Sequence, residues 1–219
     1  MKKSRCWILF LAGLLVGCEK NPSDGLVSPN QGNAVPFAGA PFIIYDDALE
    51  TGGGVDFFPS AQNQQLSFTS TDNPHSGKRC MSYTWSGSDV PNGATTEHTF
   101  VGFDLLVSAN FSTLATTPGR NLSAAGYTKL TFWARGTLSE NTTFKVEGPG
   151  TGDQSTFSPI INVATLTNSW QEFTINAGPG DFNNVKEFFK LTFLFTQPTG
   201  TTVAGQGGTI FVDDIHFEK

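Results

Sequence analysis

Two adjacent carboxylates stand out near the end of the chain, where Asp213 and Asp214 interrupt an otherwise apolar segment, residues 209–217. Neighbouring residues of a β-strand point to opposite faces of the sheet, so one of the two side chains is directed towards the apolar interior. A buried carboxylate without a partner is costly in free energy. The pair therefore predicts that the fold supplies a partner to one of these aspartates.

A second candidate group combines aromatic and polar side chains in the manner of a sugar-binding surface. Sugars pack their C–H faces on aromatic rings and hydrogen-bond polar side chains at the ring edges. Within residues 128–135, Trp133 and Arg135 alternate with apolar residues and face away from the apolar side of their strand. The other members of the group are Trp85, Glu97, His98, Phe103 and Asp104. An alternative stays open, in which Trp85 and Trp133 fill a second core layer of a sandwich.

Motifs for catalysis find little support in the sequence. His75, His98 and His216 have neither metal-ligand spacing nor a recognisable nucleophile motif beside them. The glycine-rich residues 148–152 lack the lysine and the following helix of a phosphate-binding loop, which favours a turn. No feature indicates the carboxylate pair of a glycoside hydrolase, so we expect a protein that is not an enzyme.

Short alternating strands, separated by turns, must position these residues. The predicted strands are residues 42–45, 66–69, 79–85, 98–107, 128–135, 143–147, 169–175, 190–196 and 208–217. A single short helix is predicted over residues 181–189, with Asp181 as its cap. So many strands with so little helix predict one all-β domain, an antiparallel β-sandwich or barrel.

The start of the chain resembles the signal and lipobox of a bacterial lipoprotein. A basic region and a short uncharged run lead to Leu15-Val16-Gly17-Cys18. The uncharged run is shorter than the roughly 20 residues needed to cross a bilayer and has the length of a secretory signal. The resemblance implies cleavage of a signal peptide, residues 1–17, and attachment of a lipid to Cys18. It also implies export and anchoring to a bacterial membrane, and Glu19 favours the outer membrane because it is not the aspartate associated with inner-membrane retention.

The segment after the lipobox and the charge balance restrict the partners of the protein. Residues 18–40 are rich in Pro, Gly, Asn and Ser without an apolar period, which predicts a flexible tether to a domain at residues 41–219. The formal net charge is −6, and residues 1–17 hold three basic but no acidic residues, so their removal makes the chain more acidic. This charge disfavours nucleic acid and anionic lipid headgroups as partners. Cys80 is the one remaining cysteine, and its strand-like surroundings predict a buried, inert thiol.

Four segments of the domain together resemble carbohydrate-binding modules of the galactose-binding-like jelly roll, of the family 11, family 4 and family 22 kinds. They are Asn121-Leu-Ser with Tyr127-Thr-Lys-Leu-Thr-Phe-Trp133, then Ser169-Trp-Gln-Glu-Phe-Thr-Ile175, Thr209-Ile-Phe-Val-Asp-Asp-Ile215 and His75-Ser-Gly-Lys78. The resemblance implies a jelly-roll β-sandwich and names a fold better than it names a ligand.

The resemblance also implies a structural calcium that ties the terminal strand to the first strands. Asp213 would then share the ion with Asp46, Asp47 and Asp72, and Gly77 or Lys78 would add a backbone carbonyl. Calcium takes about 6–8 oxygen ligands, so such a set is of the required kind. The alternative is that Asp213 accepts backbone N–H groups and no metal binds. By the same resemblance, Trp170 belongs to the core.

These interpretations combine into one expectation about function. We expect a membrane-anchored lipoprotein that binds a glycan or glycoconjugate without cleaving it. The candidate ligand-binding residues are Trp133, Arg135, Trp85, Glu97 and Phe103. An envelope lipoprotein that binds a protein partner is the alternative from another class, and a glycan-cleaving enzyme on the same fold is the third.

Overall fold

A computed structural model describes ten segments of the chain, and every structural statement below refers to them. They are residues 40–49, 53–58, 64–86, 100–108, 110–138, 142–146, 161–163, 166–176, 182–195 and 207–219. The predicted signal peptide, Cys18, nearly all of the predicted tether, Glu97 and His98 lie outside the described residues.

Strands make up more than half of the described residues. In chain order the elements are β1 (Phe42–Asp46), β2 (Ala48–Leu49), β3 (Val55–Phe58), β4 (Gln64–Ser70), β5 (Cys80–Ser86), β6 (Phe100–Leu106), α1 (Phe111–Leu114), β7 (Lys129–Leu138), β8 (Thr142–Val146), β9 (Ile161–Val163), β10 (Gln171–Asn176), β11 (Glu187–Phe195) and β12 (Gly207–Glu218). No helix among them is both long enough and apolar enough to span a bilayer.

The strands pair into two antiparallel sheets, and the longest strand, β12, organises the larger one. This large sheet has seven strands and includes the order β10-β7-β12-β1-β2. Along one edge β12 pairs with β7, and along the other it pairs first with β5 and then with β1, while β4 pairs with β5. The small sheet has five strands in the order β3-β6-β11-β8-β9. The predicted all-β antiparallel sandwich of the jelly-roll class is therefore confirmed.

The core lies between the two sheets, where alternate residues of each strand meet. From the large sheet, Leu130, Phe132 and Ala134 are fully buried, as their alternation predicts. From the small sheet, Leu191 and Phe193 are equally buried, and all five belong to one hydrophobic cluster. The outer faces of both sheets can contact loops or partners, because the core of a sandwich contains only one face of each sheet.

A bulge in β12 resolves the conflict that its two aspartates create. Ile210 and Val212 point into the core, but so do Ile215 and Phe217, which strict alternation would place on the opposite face. The register of β12 against β7 shifts between Asp213 and His216, and Asp214 adopts a φ of 50°. One additional residue at the bulge restores the inward phase, so both apolar pairs are buried.

The predicted helix over residues 181–189 is wrong. The segment begins with turns, Val185 exchanges two backbone hydrogen bonds of 2.8 Å with Arg120, and Glu187 starts β11. A bulge between Glu187 and Phe189 allows Phe188 and Phe189 both to be buried. The apolar spacing that resembles a helical face is thus satisfied by strand pairing, because tertiary contacts override a weak local preference.

The helix that does form, α1, was not predicted from the sequence. It is a single turn, and the Asn110 side chain caps it by accepting the Thr113 N–H at 3.1 Å. The short strands β2, β3 and β9 were also not predicted. Each has at most four residues, too few for a periodic pattern.

Candidate functional site

The carboxylates singled out by the sequence fasten the loop at residues 71–79 to the outer face of the large sheet. Asp213 is completely buried, and its Oδ2 accepts the backbone N–H of His75 at 2.9 Å and of Ser76 at 3.3 Å. Asp214 lies beside it, with Oδ2 at 2.5 Å from His75 Nδ1 and Oδ1 accepting the Ser76 hydroxyl at 2.7 Å. Asp213 is therefore the buried member of the pair, but it lies on the outer face opposite Trp133 and is covered by the loop, whose N–H groups are its partners.

Asp47 fastens the other end of the same loop. Its Oδ1 accepts the backbone N–H of Lys78 at 2.5 Å and of Arg79 at 2.6 Å. Gly77 sits against this carboxylate with a φ of +54°, and a Cβ there would lie 2.5 Å from Asp47 Oδ1. Both the positive φ and the close approach require glycine at this position.

The donors around these carboxylates do not fit a calcium ion. The loop directs N–H groups towards Asp213 and Asp47, whereas a cation needs oxygen ligands. Asp46 is exposed, and the Asp72 carbonyl already accepts from Arg135 and from the Cys80 thiol. Among the described residues no three His, Cys, Asp or Glu side chains come together as metal ligands. The arrangement is that of the metal-free alternative, and calcium stays a prediction of the family resemblance.

Burial raises the pKa of Asp213 although backbone N–H groups donate to its carboxylate. Desolvation and the neighbouring Asp214 carboxylate raise the pKa of Asp213 to about 6, while the N–H groups of Ser76, Asp214 and His75 lower it. The raised pKa means that burial outweighs the hydrogen bonds.

Trp133 and Arg135 lie on the outer face of the large sheet, as predicted, but both pack against the 71–79 loop. The Trp133 and His75 rings stack with centroids 3.8 Å apart. The Arg135 guanidinium lies 3.9 Å from the centroid of Phe211 and 5.1 Å from that of Trp170, and it donates to the Asp72 carbonyl. These contacts give the two residues a structural role in holding the loop on the sheet.

Trp170 is not in the core, contrary to the prediction. It is half-buried on the same outer face, where its Nε1–H donates to the Asn73 carbonyl at 3.0 Å and its ring meets His75 edge-on. An indole has a polar N–H that needs a hydrogen-bond partner, and a loop carbonyl at a half-buried position provides one.

Two of the predicted ligand-binding residues are core residues. Trp85 is 2% exposed, with its ring 4.3 Å from Phe193 and 5.5 Å from Tyr83, measured between centroids. Phe103 is fully buried and lies 5.0 Å from Tyr83. Both point between the sheets, because their strands place that side of the pleat towards the other layer. For Trp85 this is the core alternative that the sequence left open, and for Phe103 the prediction is wrong.

Asp104, the neighbour of Phe103, lies on the opposite face of β6 and belongs to a second group of polar and aromatic residues. This group, here named the Asp104 surface, lies on the outer face of the small sheet and consists of Asp56, Phe58, Phe100, Asp104 and Lys190. Lys190 Nζ lies 3.6 Å from Asp104 Oδ2 and 4.6 Å from the centroid of the Phe58 ring. The Phe58 and Phe100 rings are half-buried, with centroids 6.3 Å apart.

Asp104 has the most perturbed environment of this surface. It is 1% exposed, and its Oδ1 has no hydrogen-bond partner among the described residues. Burial raises the pKa of Asp104 to about 8; Lys190 lowers it, and Glu187 and Asp56 raise it further. At neutral pH the carboxyl is therefore mainly protonated and able to donate a hydrogen bond. A strongly perturbed group among half-buried rings marks a candidate functional site.

Sequence reasoning named Asp104 but missed the rest of the Asp104 surface. The outward direction of Lys190 could have been predicted, because Lys190 lies next to Leu191 in a predicted strand whose apolar face contains Leu191 and Phe193. Asp56 and Phe58 lie in β3, which gave no strand signal. Cys80, by contrast, is a buried free thiol as predicted, and burial raises its pKa to about 11.

Among known proteins, the similarities to this chain are with solved structures. Neither the family models nor the curated proteins compared with the chain gave a match. Among solved structures, the family 11 carbohydrate-binding module of a Clostridium thermocellum cellulosomal cellulase is similar at 15% identity and a TM-score of 0.45, with 83% of this chain and 95% of that chain covered. The CBM22-2 xylan-binding domain of Paenibacillus barcinonensis Xyn10C is similar at 12% identity and a TM-score of 0.42, with 82% and 98% covered.

Parts of enzyme chains are similar to this fold as well. An exo-1,3/1,4-β-glucanase from Pseudoalteromonas has 9% identity and a TM-score of 0.49, with 85% of this chain but 21% of the enzyme covered. The structural neighbours are thus carbohydrate-binding modules with jelly-roll folds, together with portions of larger enzymes. Likeness at these identities and TM-scores does not assign a ligand.

Proposed function

We propose that this protein binds glycans, without cleaving them, through the Asp104 surface. The single observation that carries the proposal is the nearly inaccessible Asp104 carboxyl, whose Oδ1 has no hydrogen-bond partner among the described residues and whose Oδ2 faces Lys190, beside two half-buried phenyl rings. Phenyl rings offer the apolar contact that a sugar face needs, and Lys190 and Asp56 offer polar groups for its hydroxyls.

The buried Asp104 acts on this surface by positioning Lys190. Its Oδ2 lies 3.6 Å from the Lys190 ammonium group, which lies 4.6 Å from the centroid of the Phe58 ring, so that Lys190 and the ring are presented together. A lysine fixed in this way loses less side-chain entropy on binding a ligand than a mobile one, because its geometry is already set. The surface is thus preorganised by a residue that the ligand does not itself need to touch.

A glycan array, followed by titration of the strongest ligand, tests the proposal. Lys190→Met and Phe58→Ala are expected to weaken binding about tenfold each, equivalent to about 1.4 kcal/mol. Lys129→Met is the matched control, because Lys129 is also a partly exposed lysine beside a carboxyl group, with Nζ 2.5 Å from Glu218 Oε2 on the large sheet. Thermal unfolding of each variant verifies that the fold is retained.

The array also separates the alternative functions. No glycan binding, together with co-purification of one envelope protein, would replace the proposal with the scaffold function. Release of reducing ends from a bound glycan would place the protein among enzymes, with the perturbed Asp104 as the first residue to mutate.

The location of the protein is a separate proposal that rests on the lipobox resemblance. We propose that Cys18 carries a lipid that anchors the glycan-binding domain to a bacterial membrane. Metabolic labelling with a fatty-acid analogue is expected to mark the wild-type chain and not Cys18→Ser. Labelling that persists in the variant would refute the anchor.

A further inference from the structure

A groove on the outer face of the large sheet is separate from the Asp104 surface, which lies on the small sheet. The groove has a volume of about 510 Å³ and crosses β5, β12 and β7 near the start of β12. Ligand pockets typically range from about 300 to 1,000 Å³, so the groove has room for a small-molecule ligand. Here it is named the Gly208 groove.

Gly208 is a lining residue of the groove that has no side chain. Gly208 pairs with Trp85 of β5, and a Cβ on Gly208 would lie 2.5 Å from Trp85 Cη2. A side chain at Gly208 would displace the indole on the core side of the sheet, so Gly208 contributes only backbone to the groove. Trp85 itself belongs to the core, where its ring packs on Phe193, so its indole is not a wall for a ligand in the groove.

The other lining residues carry hydroxyl and amide groups. Thr84 Oγ1 lies 3.2 Å from Thr209 Oγ1, and the Thr137 hydroxyl donates to Asn168 Oδ1 at 2.8 Å. A hydroxyl has one donor and two acceptor positions and an amide has more, so these two contacts leave hydrogen-bonding capacity for a ligand. Phe211 adds a half-buried phenyl ring to the lining.

The lining determines the class of ligand, because none of the described residues that form it is charged. Hydroxyls, an amide and the Phe211 ring match an uncharged, polyhydroxylated ring, and the lining offers no cation to pair with a carboxylate or a phosphate. We infer that the Gly208 groove is a second binding site, specific for a neutral sugar unit. The inference extends the proposed function to the opposite outer face of the sandwich.

Blocking the groove tests this inference. The full-length protein in detergent is titrated with the neutral and the uronic-acid oligosaccharides that a glycan array identifies. Thr84→Trp places a strand-compatible ring into the groove from an exposed position and is expected to reduce neutral-sugar affinity at this site at least tenfold. Asn168→Ala, which removes one amide, is expected to reduce it about 3–10-fold. Thr174→Trp on β10 is the matched control, an exposed threonine of the same sheet that does not line the groove.

The Lys190→Met variant separates this site from the Asp104 surface. If the inference holds, Lys190→Met retains one class of neutral-sugar sites, and Thr84→Trp added to it removes that class. Unchanged neutral-sugar binding in Thr84→Trp would overturn the groove and leave the Asp104 surface intact. Loss in Thr84→Trp with unchanged binding in Lys190→Met would refute the Asp104 surface and leave the groove. Binding of uronic-acid glycans alone, or of no glycan, would overturn the inference.

Discussion

Replacing Asp104 by Asn is expected to stabilise the protein at neutral pH and to change its stability much less at pH 4. The folded protein raises the pKa of Asp104 from 3.8 to about 8 because the carboxyl is buried. A raised pKa contributes stability that is fully present below the unfolded-state value and is lost as the pH rises through the folded-state value. The wild type therefore loses this contribution between about pH 4 and pH 8, whereas the Asn variant has no titrating group at this position.

The magnitude follows from the pKa difference. Each unit corresponds to about 1.36 kcal/mol, so at pH 7 an unfolded-state pKa of 3.8 gives a cost on the order of 4 kcal/mol for keeping the buried carboxyl protonated. For a domain of this size, 1 kcal/mol corresponds to about 2–4 °C in Tm, so the variant is expected to unfold about 10 °C higher at pH 7.

Denaturant unfolding of the wild type and of Asp104→Asn at several values between pH 4 and pH 8 measures the effect. Comparing the two pH limits cancels the pH-independent part of the substitution. Asp56→Asn is the control, because Asp56 is opposite Asp104 in the sheet but only partly buried, and a smaller pH dependence is expected. A difference between wild type and Asp104→Asn that is the same at pH 4 and pH 8 would refute the raised pKa and the argument built on it.

Three further predictions concern the loop and the core. Gly77→Ala is expected to cost about 1–3 kcal/mol in unfolding free energy, because Gly77 has a positive φ and contacts Asp47. Gly126→Ala is the control and is expected to cost less, because Gly126 also has a positive φ, +86°, but its nearest neighbour is 3.9 Å away. Equal costs would contradict the role of the close contact. Asp213→Ala is expected to lower Tm by leaving loop N–H groups without an acceptor. In the metal-free arrangement added calcium leaves the wild-type Tm unchanged, whereas a calcium-dependent rise that Asp213→Ala abolishes would establish the metal. Trp85→Ala is expected to cost about 3–5 kcal/mol in denaturant unfolding, as for a core aromatic, and a cost below about 1 kcal/mol would remove it from the core.

Most of the strands could be predicted from sequence because their alternation is strong. Leu130, Phe132 and Ala134 face the core, and Trp133 and Arg135 face outwards, as the period of two requires. Elements without a period were missed, and the helix predicted near residue 185 was replaced by strand pairing. A pattern within one segment does not contain the partner strand that decides between these outcomes.

The candidate site was predicted less completely than the fold. Both Phe103 and Asp104 were named from the sequence as candidate site residues. Which of these two neighbours faces the core depends on which side of β6 packs against the other sheet. Lys190 and Phe58 come together with Asp104 from separate strands of the small sheet, and the sequence contains no information on that pairing order. The side chains of a site across several strands therefore cannot be assembled from local patterns.

By itself, the sequence determined which residues of each strong strand share a face, that the domain is all-β, and that one of two adjacent aspartates must find a partner inside it. Only the tertiary structure decided that Asp213 is that residue, that loop N–H groups are its partners, and that a bulge at Asp214 returns the following residues to the core. The reason is that side-chain alternation is a local property of the backbone, whereas burial and hydrogen-bond partners depend on which segments the sheets bring together.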